Sequence, residues 1–109
     1  MLYQYIIHVP LTYNDGSPIE PEKLAEFIVE IEDRFGGYTR SRSAWDGYWK
    51  EEVQENGQNR VIEYRDTIML LIIDGSEEIK AELQDLASTY ARHFRQIKIY
   101  IKYHVVEEL

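Results

Sequence analysis

The chain has 109 residues, a net charge of −8 and no cysteine. That length fits one domain, 1–109. The lack of cysteine excludes a disulfide framework, a thiolate metal centre and a cysteine nucleophile, and the acidic balance disfavours nucleic acid unless positive charge is concentrated somewhere.

The N-terminus, Met1 to His8, has neither a basic region nor a small-residue cleavage site, so no export signal is read there. A first strand is expected over about Leu2–Leu11, with Tyr3, Tyr5, Ile7 and Val9 on one face and Leu2, Gln4, Ile6 and His8 on the other. Pro10 marks its end and Tyr13–Ser17 reads as a turn. A first helix starts near Pro21, whose fixed φ suits the first helical position. Its stripe is Leu24, Phe27, Ile28, Ile31 and Phe35, at helical spacing, and Gly36-Gly37 stops it.

A second strand is expected over about Tyr38–Val53, with a bulge or bend at Asp46-Gly47. Glu55–Asn59 reads as a hairpin loop around Asn56-Gly57. The third strand, about Arg60–Ile73, ends in the apolar run Ile68–Ile73, which implies cover on both faces. That run is far below the ~20 residues a membrane-spanning helix needs, and the chain reads as cytoplasmic. A second helix, capped by Asp74 or Ser76, carries the stripe Ile79, Leu83, Leu86, Ala87, Tyr90 and Phe94. The last strand, about Gln96–Val106, alternates Ile97, Ile99, Ile101, Tyr103 and Val105 with Lys98, Tyr100, Lys102 and His104. From Ala91 to Val106 there is no acid, although the chain as a whole is acidic.

The order βαββαβ specifies an α+β, ferredoxin-like fold: a four-stranded antiparallel sheet in spatial order 4-1-3-2 with two helices on one face. Two helices cover one face of such a sheet. The apolar residues on the other face therefore predict a homodimer through the open sheet face.

Candidate chemistry is sparse. His8 and His104 share the less apolar face of neighbouring strands, where a neutral imidazole can act as a base. Arg40 and Arg42 alternate along a strand and could clamp an anion, or simply protect an edge. Trp45 and Trp49, with Tyr100, are candidate contacts for a flat ligand or a partner. Glu63 and Arg65 share a face at the start of the third strand, where a cross-strand ion pair is expected. No phosphate loop, serine elbow or metal-binding spacing occurs, so no metal and no cofactor are expected.

Phe35-Gly36-Gly37-Tyr38-Thr39, Gly47-Tyr48-Trp49, the apolar strand Ile68–Ile73, and Tyr90 with Phe94 in the last helix resemble a family of small bacterial proteins that is catalogued only as a domain of unknown function. The chain departs from that pattern in its long polar hairpin and its missing export signal. The resemblance implies the fold and supplies no activity. The fold also looks like the dimeric α/β barrel group, which includes cofactor-free monooxygenases and small ligand sensors. The functional expectation is a non-catalytic homodimer that binds a small ligand or a protein partner. The alternative is a cofactor-independent enzyme of the barrel type, with His8 or His104 as base and Arg40 or Arg42 holding an anion.

Overall fold

The computed structural model describes residues 1–109, apart from the side chains of Trp49 and Tyr64. The chain is α+β, with two α-helices and one antiparallel sheet: β1 (Leu2–Pro10), α1 (Pro21–Phe35), β2 (Thr39–Arg40), β3 (Trp45–Glu55), β4 (Gln58–Gly75), α2 (Lys80–His93) and β5 (Tyr100–Val106). β1 lies between β4 and β5, and β2 and β3 both pair with β4. The sheet thus has five strands where four were expected.

The fifth strand arises because the expected second strand is broken. Arg40 pairs with Leu71 and Trp45 with Ile68, so four residues on one side face two on the other. Ser41 holds this break together. Its backbone N–H donates to the Leu70 carbonyl at 3.0 Å, and its hydroxyl accepts the Leu70 N–H at 3.1 Å. Asp46-Gly47, expected to carry the bulge, pairs in register with Asp66 and Thr67.

The helix-side face of the sheet carries the core. Tyr5, Ile7 and Val9 of β1 and Leu71 and Ile73 of β4 pack with Phe27 and Ile31 of α1 and with Leu83, Leu86, Tyr90 and Phe94 of α2 or just after it. Pro21 is the first residue of α1, and Gly36 ends it with φ 86°. A 3₁₀ turn, Glu77–Ile79, leads into α2. The Tyr5 hydroxyl donates to the Ser76 carbonyl at 2.9 Å, so this core tyrosine has a partner for its polar tip.

The last strand starts four residues later than its alternation suggests. Beyond the pair His8–Tyr100, the next residue of β1 on that face is Pro10, which has no N–H to give to the segment carrying Lys98. Arg95 adopts a left-handed conformation, φ 54°, and the chain turns there out of α2. Ile97, expected in the apolar row, is 85% exposed, whereas Ile99 is buried.

β3 and β4 run on past the sheet as a two-stranded ribbon. The N–H of Leu11 still bonds to the Thr67 carbonyl. From Asp66 outward only β3 and β4 pair, and the ribbon turns at Asn56 and Gly57, both with positive φ.

Candidate functional site

The face of the sheet away from the helices is built by alternation. Ile6, His8 and Pro10 of β1 lie beside Ile72, Leu70 and Ile68 of β4. On the other side, Gln4, Ile6 and His8 lie beside His104, Lys102 and Tyr100 of β5. Ile6, Ile68, Leu70 and Ile72 are half-buried, and no second layer of the chain packs over them among the described residues.

Where the ribbon leaves the sheet, it and the start of β5 enclose a groove of about 670 Å³. Its apolar surface comes from Pro10, Ile68 and Ile97. His8, Lys98, Tyr100 and Lys102 line it on the β1–β5 side, and Tyr48, Glu51 and Asp66 on the ribbon side. A hollow of similar size, 690 Å³, lies between α2 and residues 96–101, but no histidine or carboxylate lines it among the described residues.

Tyr100 organises the β5 side of the groove. The His8 ring meets it edge-on, with centroids 5.4 Å apart. The Lys98 and Lys102 ammonium groups lie 5.0 and 5.6 Å from its ring centroid. Burial, and then the nearby Lys102 charge, lower the His8 pKa below its ordinary value, so the imidazole is neutral at pH 7.

The candidate residues do not all converge. His8 pairs with Tyr100, but His104 pairs with Gln4, four positions away, which places it roughly 13 Å along the strand at 3.3 Å per residue. His104 is exposed. Arg40 pairs with Leu71, a core residue, so it belongs to the helix-side face, and it is exposed there. Arg42 falls in the break between β2 and β3, so the two guanidinium groups share no regular face. Trp45 is 54% exposed and pairs with Ile68 at the margin of the open face. Trp49 pairs with Tyr64 through its backbone, and its side chain lies outside the described residues. Glu63 pairs with Lys50 across the ribbon at 3.4 Å, an exposed surface contact, and Arg65 lies over the Tyr48 ring at 5.4 Å.

The sequence points to His8 and Tyr100, but it does not single out Lys98, Lys102 or Asp66 as site residues. The acid-free stretch from Ala91 to Val106 was the available signal. What it lacked was the ribbon, which brings a second wall to that stretch. Among the described residues no group of three histidine, aspartate or glutamate side chains could hold a metal ion. No helix is long and apolar enough to cross a membrane.

No family model and no curated protein matches the chain. Among solved structures the chain is similar to a phage SAM lyase in complex with S-methyl-5′-thioadenosine, at 18% identity and a TM-score of 0.54, over 94% of this chain and 80% of that one. A looser likeness, at 11% identity and a TM-score of 0.47, is to GlnK of B. subtilis, over 94% of this chain and 82% of that one. The likeness to the lyase is one of fold.

Proposed function

We propose that the chain is a small cytoplasmic binding module of ferredoxin-like fold, a homodimer through its open sheet face, that holds a small ligand in the groove between the ribbon and β5. The observation that carries this reading is the groove itself. It joins apolar surface from Pro10, Ile68 and Ile97 to the polar groups His8, Lys98 and Tyr100 in one volume of about 670 Å³, within the size range of small-molecule sites. The half-buried row Ile6, Ile68, Leu70 and Ile72 supports the dimer, because a second sheet would remove it from water.

The second reading is a cofactor-independent enzyme. Its support is the neutral His8, poised to accept a proton inside the groove. Against it, no serine or threonine lines the groove among the described residues, and Arg40 and Arg42 lie elsewhere. A base without a partner nucleophile favours binding over turnover.

Native mass spectrometry of protein purified from its own host tests the reading. The expected spectrum carries bound mass that dissociates on denaturation and is lost in Tyr100→Ala. S-methyl-5′-thioadenosine, the ligand of the phage lyase of similar fold, is the first compound to add to the stripped protein. Bound mass that survives both Tyr100→Ala and Ile68→Asp would show that the groove is not the site.

A further inference from the structure

We propose that Lys98, Lys102 and His8, gathered around the Tyr100 ring, form an anion subsite on the β5 wall of the groove, which takes the carboxylate or phosphate group of a small ligand. This rests on the groove reading above and names the chemistry of one end of the ligand.

Two placements support it. First, both ammonium groups lie within 5.6 Å of one ring centroid. Among the described residues neither lysine belongs to an ion pair. The chain has 20 acidic and 12 basic residues, so two lysines that line one groove and belong to no ion pair among the described residues go against its composition. An anion in the groove would accept charge-assisted hydrogen bonds from them. Second, His8 is edge-on to the same ring and faces the same volume, so it adds a third nitrogen. The opposite wall carries Glu51 and Asp66. Their charge opposes an anion in the groove, most strongly on the ribbon side, so the subsite is confined to the β5 wall.

The charged and titratable groups facing the site are therefore His8 from β1, Glu51 and Tyr48 from β3, Asp66 from β4, and Lys98, Tyr100 and Lys102 from β5 and the residues before it. Lys102 now disfavours the protonated imidazole. A bound anion opposes that effect, so His8 gains proton affinity when the anion is present, and anion affinity rises as pH falls towards the lowered pKa of the free His8 imidazole.

The test is a nuclear magnetic resonance titration of the histidine ring signals of the full chain at constant ionic strength, with inorganic phosphate in one series and acetate in another. The chain has three histidines. His93, on α2, serves as an internal control. The expected result is a saturable shift at His8 with an upward move of its apparent pKa, no such shift at His93, and at least a tenfold loss of affinity in the exposed-site double variant Lys98→Gln/Lys102→Gln. Saturation by phosphate alone assigns a phosphate group, and saturation by acetate as well assigns a carboxylate. Linear shifts common to all three histidines, or an unchanged affinity in the double variant, would overturn the subsite. Binding of S-methyl-5′-thioadenosine in the groove with no response to either anion would overturn it too, while leaving the groove reading intact.

Discussion

Gly36 carries the chain out of α1 at φ 86°, and its N–H bonds to the Glu32 carbonyl at 2.9 Å. A side chain there would meet nothing within 4 Å, so the constraint is the backbone conformation and not space. Gly36→Ala should therefore cost about 1–2 kcal/mol, the usual penalty for a left-handed L-residue. Gly36→Asn should cost less, because asparagine tolerates that region. Urea denaturation of the two variants checks the order, and equal stability of the alanine variant and the parent would refute the account. This position was legible in the sequence because a glycine pair follows directly on an apolar stripe of helical spacing. Ser41 was not legible in the same way. Its hydroxyl takes the place of a strand carbonyl in accepting the Leu70 N–H, and any serine near a strand could do that or nothing.

Among the elements, α2 is the clearest case of pattern becoming structure. Leu83, Leu86, Ala87 and Tyr90 are all buried, as their spacing requires. Leu83 is 1% exposed and sits in the core with Ile73 and Phe27. Leu83→Ala should cost about 2–5 kcal/mol, measured by chemical denaturation; a loss below about half a kcal/mol would mean that α2 does not cover the sheet as described. The β3–β4 ribbon is the element whose consequence the pattern concealed. Asn56-Gly57 announced its turn and Glu63 a cross-strand ion pair, which it makes with Lys50, but not that the hairpin would stand beyond the sheet. How far a hairpin outruns its neighbours depends on where those neighbours stop, and β1 stops at Pro10. For the same reason the groove could not be read from spacing: its two walls meet only because β4 continues where β1 and β5 do not.

At the scale of the molecule, the ribbon makes the chain long, with extents of 52 × 30 × 25 Å and a radius of gyration of 15.6 Å, against the about 13 Å typical of a compact chain of this length. The open face of the sheet, with Ile6, Ile68, Leu70 and Ile72, is the other unbalanced feature. Burial of apolar area at roughly 25 cal/mol per Å² would favour a second layer over water, and a second copy supplies one without any new sequence. The groove opens along the margin of that face, so assembly and ligand binding are expected to be coupled. Light scattering at micromolar concentration tests the assembly directly. The account predicts twice the chain mass of 13.0 kDa for the parent protein and a return to 13.0 kDa in Leu70→Glu, a substitution on the open face and away from the helices. A parent protein that scatters as a 13.0 kDa monomer across that range would contradict it.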